Sequence, residues 1–73
     1  MKISYDPEVD ALSISFRETT VTTKPLAEGI AADDDSEGRL AGLEILDAMK
    51  RFGDAETMRR VILEGLGPVA RLH

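Results

Sequence analysis

Between Lys2 and Phe16 the apolar residues fall at Ile3, Tyr5, Leu12, Ile14 and Phe16, with Ser4, Ser13 and Ser15 between them. Strict period-two alternation of this kind commits a chain to strands with one face buried and the other wet, because successive side chains on a strand point to opposite sides. The two runs are separated by Asp6-Pro7-Glu8-Val9-Asp10, in which Pro7 presets one turn dihedral and the aspartates can bond nearby backbone N–H groups. This pattern predicts a β-hairpin.

The remaining chain extends the same grammar. Arg17 to Lys24 holds four threonines and a valine, residues that favour extended structure, with little apolar alternation to bury, so an edge strand or an extended connection is expected. Pro25 lacks the donor that an inner ladder needs and points the same way. Residues 28–35 and 40–46 flank Ser36-Glu37-Gly38-Arg39, where Gly38 can take positive φ without a Cβ penalty. That predicts a second hairpin.

After Ile45 the spacing changes. Leu46 to Phe52 is expected to form one short helical turn ended by Gly53, and Asp54 to cap a helix over residues 55–66 with Ala55, Met58, Ile62 and Leu66 on one face. The competing reading is a strand at Arg60-Val61-Ile62-Leu63-Glu64, since Val61 and Ile62 are β-branched. Val69 to His73 is expected to fray. The fold class is therefore α+β: an antiparallel β-meander of four to five strands, built on two hairpins and followed by a short C-terminal helical segment.

With 73 residues the chain is one domain, 1–73, with a β-rich core over 1–50 and a helical or extended segment over 51–73. A domain of this size buries only about 60% of the surface its unfolded chain exposes, so help from a partner chain is expected. There is no cysteine, which excludes disulfides and thiolate metal sites and fits a cytoplasmic setting. Asp6 and Pro7 interrupt the start of the chain before an apolar run can develop, so neither a signal peptide nor a membrane span is expected.

The net charge is −5, unevenly spread: residues 1–48 carry eleven acids and four bases, a net −7, and residues 49–73 carry three acids and five bases, a net +2. The acidic part would repel phosphate backbones, which argues against nucleic-acid binding, although Lys50, Arg51, Arg59 and Arg60 form a short basic stretch.

Little chemistry is visible. His73 is the single imidazole and stands at the last position; the serines have no evident base, and no phosphate loop or zinc-ligand spacing occurs. No cofactor is expected. Carboxylates are the abundant reactive groups. Asp6, Glu8 and Asp10 alternate like the start of an EF-hand loop, but Ala11 stands where that loop needs glycine and Arg17 where it needs glutamate. Asp33, Asp34 and Asp35 crowd beside a turn, where a hard cation is one reading and a solvated, aggregation-resistant loop the plainer one. These six residues are the candidate metal set. Tyr5, Phe16 and Phe52 fit the apolar pattern and read as core.

Two segments, Met1-Lys2-Ile3-Ser4-Tyr5-Asp6-Pro7-Glu8-Val9-Asp10-Ala11-Leu12-Ser13-Ile14 and Gly38-Arg39-Leu40-Ala41-Gly42-Leu43-Glu44-Ile45-Leu46-Asp47-Ala48, resemble the small prokaryotic family called domain of unknown function 2283. The resemblance covers roughly residues 1–50. It implies a compact β-rich fold and carries no catalytic residue; relatives encoded beside small toxin-like proteins would imply an antitoxin-like role. The expected function is a non-enzymatic protein-interaction module, homodimeric or meeting a basic protein partner. The alternative is a carboxylate-based metal binder or small hydrolase. Tyr5, Leu12, Ile14, Phe16, Ile30, Leu43 and Ile45 are the expected core face.

Overall fold

A computed structural model describes residues 1–65. It contains β1 (Lys2–Asp6), β2 (Ala11–Ser15), β3 (Thr22–Ala27), β4 (Ile30–Asp34) and β5 (Leu40–Leu46), then helix α1 (Ala48–Phe52) and a 3-10 turn at Glu56–Met58. All five strands form one antiparallel sheet in the order β1-β2-β5-β4-β3. The expected five-strand sheet with a short helical segment is present, but its order is not one consecutive meander. β3, β4 and β5 form a three-strand meander that joins the β1–β2 hairpin through β5, so the last strand in sequence is the central one. The connection of residues 16–21 must cross three strand spacings, about 14 Å, which its extended length easily spans.

Besides the two expected hairpins there is a third, between β3 and β4. It turns at Glu28-Gly29, with Gly29 at φ 77°, inside a stretch whose sequence reads as the start of one strand. The threonine-rich region divides into both of its expected forms: residues 17–21 are the crossing connection, and β3 is an edge strand, exposed throughout, with a bulge between Pro25 and Ala27.

Register fixes the two faces. Ile3, Ile14, Leu43 and Ala32 lie in one cross-strand row, and Tyr5, Leu12, Ile45 and Ile30 in the next. These rows form the apolar face that the alternation predicts. Ser4, Ser13, Glu44 and Ala31 form one row of the opposite face, and Lys2, Ser15, Gly42, Asp33 and Thr23 another.

Beyond β5 the expected turn forms as α1, ended by Gly53 in the left-handed region at φ 93°. The expected helix over 55–66 does not form. Asp54 caps one 3-10 turn by accepting the Thr57 N–H at 3.0 Å, and residues 60–65 then run without regular structure, as neither the helix nor the competing strand. Isolated helices of this length are marginal in water, and Arg59, Arg60, Val61, Ile62, Leu63 and Glu64 all remain exposed, so no packed face supplies the missing stability. The expected frayed tail, Val69 to His73, lies outside the described residues, as does Leu66. Among the described residues no helix is long and apolar enough to cross a membrane.

Candidate functional site

The six candidate carboxylates are held by separate elements and do not converge. Asp6 ends β1 and accepts the Glu8 N–H at 2.9 Å, closing the Pro7 turn, and Glu8 is exposed on that turn. Asp10 takes a left-handed conformation, φ 53°, and works over a longer range than the turn itself. Its Oδ1 accepts the Tyr5 hydroxyl at 2.6 Å and the Met49 N–H at 2.9 Å, and its carbonyl accepts the Ala48 N–H at 3.0 Å. The Tyr5 hydroxyl and the Met49 N–H hold the Asp10 carboxyl below the ordinary carboxylate range, and the same Tyr5–Asp10 bond pushes the Tyr5 phenol up. Asp10 therefore latches the first hairpin to α1, with Ala48 fully enclosed at the junction.

Asp33, Asp34 and Asp35 are adjacent in sequence and diverge in space, since neighbouring residues on a strand face opposite sides. Asp34 lies on the apolar side and pairs with Lys24 at 3.0 Å. Asp35 is only 8% exposed and organises the β4–β5 turn. Its Oδ1 accepts the Glu37 and Arg39 N–H groups, each at 2.9 Å, while Oδ2 meets the guanidinium groups of Arg39, at 3.0 Å, and Arg17. The Arg39 N–H leads in lowering the Asp35 carboxyl, against the opposing effect of burial. Among the described residues no group of three His, Cys, Asp or Glu side chains is placed to hold a metal ion.

Asp33 gains a carboxylate neighbour, Glu44, on the polar face of the sheet. Asp33 also accepts the Thr23 hydroxyl, and it hydrogen-bonds Glu44, whose carboxyl is pushed up by that bond, then by partial burial and by the Asp33 charge. A carboxyl pushed up by a neighbouring carboxylate, as Glu44 is, meets one requirement of paired-carboxylate chemistry. The second, a cleft that encloses a substrate between both carboxyls, is not supplied by the depression of about 250 Å³ on this face, whose lining includes Ser13, Ser15, Arg17 and Asp33 but not Glu44. Gly42 keeps this depression open: a Cβ there would stand 2.8 Å from the Ile14 carbonyl oxygen and 3.3 Å from Asp33 Oδ2. Sequence reasoning missed Glu44. The signal was the β4–β5 register, which sets Ala31 opposite Glu44 and Asp33 opposite Gly42 and so makes Asp33 and Glu44 diagonal neighbours.

The other candidate is the apolar face. Its larger residues are half-buried at best: Ile14, Leu12, Leu43, Ile45 and Ile30 are all intermediate, and Ile3 is 44% exposed. Among the described residues the buried apolar side chains are Ala32, Ala41 and Ala48, and none larger than alanine is fully enclosed. Phe52, Met58 and Val61 approach the β1–β2 half, leaving a groove of about 220 Å³ against Ile3, Leu12 and Ile14. α1 itself sits at the sheet's end, stapled there by Arg51, which donates to the Leu46 carbonyl at 2.9 Å and to the Glu28 carbonyl.

A family model described as "Protein of unknown function (DUF2283)" matches residues 2–48. No curated protein and no solved structure matches the chain. The matched span runs from β1 to the first residue of α1 and contains the Tyr5–Asp10–Ala48 latch and the whole sheet. With most of its length inside that match, the chain belongs to the DUF2283 family of proteins of unknown function.

Proposed function

We propose that this protein is a non-enzymatic protein-interaction module whose half-covered sheet face docks on a second copy of the same chain. The observation that carries the reading is that no apolar side chain larger than alanine is fully enclosed among the described residues. A sheet with one apolar face needs a second layer, and α1, five residues and about 7.5 Å long, is too short to supply it. Five strands at about 4.8 Å, each about five residues at 3.4 Å, give a footprint of roughly 400 Å² before side-chain relief. That is of the order needed to reach the roughly 800 Å² of accessible surface per partner in a stable interface.

The chemistry of the face favours self-association over a basic partner. Its rows are Ile, Leu, Tyr and Ala, and the charges at its β3 margin, Asp34 and Lys24, already pair with each other. An uncharged face is complementary to itself, as a two-fold dimer requires. Sedimentation across micromolar to near-millimolar concentration tests the reading. Twice the 8.0 kDa chain mass is the expected result, and a single-chain mass throughout overturns it.

The carboxylate reading rests on Asp33 and Glu44. A ligand that binds only the folded state raises the melting temperature by mass action, so magnesium, calcium or manganese raising it in wild type but not in Glu44→Gln would favour metal binding instead.

A further inference from the structure

We infer that residues Arg60–Glu64 form a sixth strand by pairing antiparallel with the β1 edge of a second copy, an inference that rests on the self-association reading above. Three observations lead to it. First, Val61, Ile62 and Leu63 are 60%, 58% and 63% exposed, three consecutive aliphatic residues outside any regular element and suited to a strand. Second, β1 is an edge strand, with one side of its backbone N–H and C=O groups unpaired among the described residues, and such edges accept an added strand. Third, the two segments match residue by residue in one orientation and clash in the other.

Set antiparallel, Arg60-Val61-Ile62-Leu63-Glu64 places Arg60 opposite Asp6, Val61 opposite Tyr5, Ile62 opposite Ser4, Leu63 opposite Ile3 and Glu64 opposite Lys2. Both ends become opposite-charge pairs, and Val61 and Leu63 join Tyr5 and Ile3 on the apolar face. Set parallel, Arg60 meets Lys2 and Glu64 meets Asp6, two like-charge pairs. Among the described residues Lys2, Asp6, Arg60 and Glu64 form no ion pair within the chain, and Asp6, whose Oδ1 accepts the Glu8 N–H, keeps Oδ2 for Arg60. Val61 already lines the groove against Ile3, so the segment leaves its own sheet at the margin where a second copy's β1 would receive it. Within one chain the segment enters no ladder of the sheet, and reciprocal exchange between two copies satisfies both β1 edges at once.

Charge reversal separates exchange from pairing within a chain. In a homodimer, Lys2→Glu alone sets a carboxylate at position 2 against Glu64, and Glu64→Lys alone sets an ammonium at position 64 against Lys2. Each is expected to weaken homodimerisation by about 10- to 30-fold, two cross-strand pairs being reversed per dimer. Mixed together, the two variants form a heterodimer in which one of the two contacts is the original pair reversed in sign, both partners being exchanged, and the other sets the two unmutated residues together, so both are attractive again. Native mass spectrometry of the mixture, one variant carrying a mass label, is expected to show the heterodimer well above the statistical half. A statistical mixture of dimers overturns the exchange while leaving the dimer reading intact, and a wild-type chain that stays monomeric overturns both. Recovery in the Lys2→Glu, Glu64→Lys double variant without heterodimer preference in the mixture also overturns it, because the strand then pairs within its own chain. Lys2 and Glu64 are both exposed, so folding of each variant, checked by circular dichroism, is expected to be unchanged.

Discussion

Ile14 lies at the centre of the row Ile3, Ile14, Leu43 and borders the groove beneath Phe52 and Met58, which makes its truncation a sensitive probe of the apolar face. Ile14→Ala removes about three carbons, each contributing about 0.8 kcal/mol when fully buried, or about 2.4 kcal/mol in all. Because Ile14 is only partly buried, the loss falls to about 2 kcal/mol. The cavity contribution that raises such costs toward about 5 kcal/mol in closed cores is small here, since the site already opens onto a groove and can relax. Ile3, 44% exposed in the same row, scales to about 1.3 kcal/mol for the same truncation. For a domain of this size about 2 kcal/mol corresponds to a melting-temperature fall of about 8–16 °C. Urea denaturation of wild type, Ile14→Ala and Ile3→Ala is the assay, run at two protein concentrations so that a contribution from a second copy shows as a concentration-dependent midpoint. An Ile14→Ala cost below about 0.5 kcal/mol, or an Ile3→Ala cost equal to it, would show that this face is not the core and that the register assigned to its packing is wrong.

Four further outcomes are expected. Because Glu44 has its folded pKa raised by Asp33, its contribution to stability is complete below the ordinary glutamate range and is lost as pH rises through the raised value; Glu44→Gln should flatten that decline in a pH series of urea midpoints. Asp10 and Asp35 are depressed in the fold, so their contributions are complete above the ordinary aspartate range and are lost as pH falls through the depressed values; Asp35→Asn should reduce the steepness of acid unfolding. Tyr5 is the single tyrosine, so its ultraviolet titration reads the latch directly, and Asp10→Asn should bring the phenol down toward its ordinary value. Gly42→Ala should cost about 1–3 kcal/mol by overpacking, because its Cβ meets a backbone oxygen that cannot swing aside, whereas Gly38→Ala, with open space around it, should cost about 1–2 kcal/mol from its positive φ alone; an unchanged urea midpoint in Gly42→Ala would refute the close contact.

The local content of this fold was legible because period two and turn chemistry are short-range signals. The alternation from Ile3 to Phe16, the Gly38 turn and the Gly53 stop each correspond to a structural event at those residues. Strand order was not legible, since nothing near Ile45 records that β5 inserts beside β2 instead of following β4 at an edge. The β3–β4 turn was hidden because Glu28-Gly29 carries no apolar break to mark it. Residues 55–66 misled because spacing alone favours a helix, and spacing does not report whether a surface exists to receive its apolar stripe. Of the carboxylates, Asp6 and Asp10 could be placed at a turn from sequence, but Asp10's bond to Met49 spans 39 positions and depends on where α1 docks. The three consecutive aspartates look like a cluster on paper and are dispersed by the pleat.

The insertion of β5 between β2 and β4 imposes an order of events on synthesis. While the ribosome has delivered only the first hairpin and β3, the inner margin of β2 has no neighbour, and its ladder to residues 42–46 waits for a strand roughly thirty positions downstream. The three-strand unit can close locally as soon as it emerges, but the central seam forms only after the short crossing of residues 16–21 brings the two halves together. Non-local seams of this kind raise contact order and slow folding, so the rate should respond to the length of that crossing more than to any of the three hairpin turns. The nascent chain therefore carries an open, alternating strand until β5 is made, and the serines at positions 13 and 15, which keep one side of β2 polar, reduce the hydrophobic surface available for misassociation during that interval.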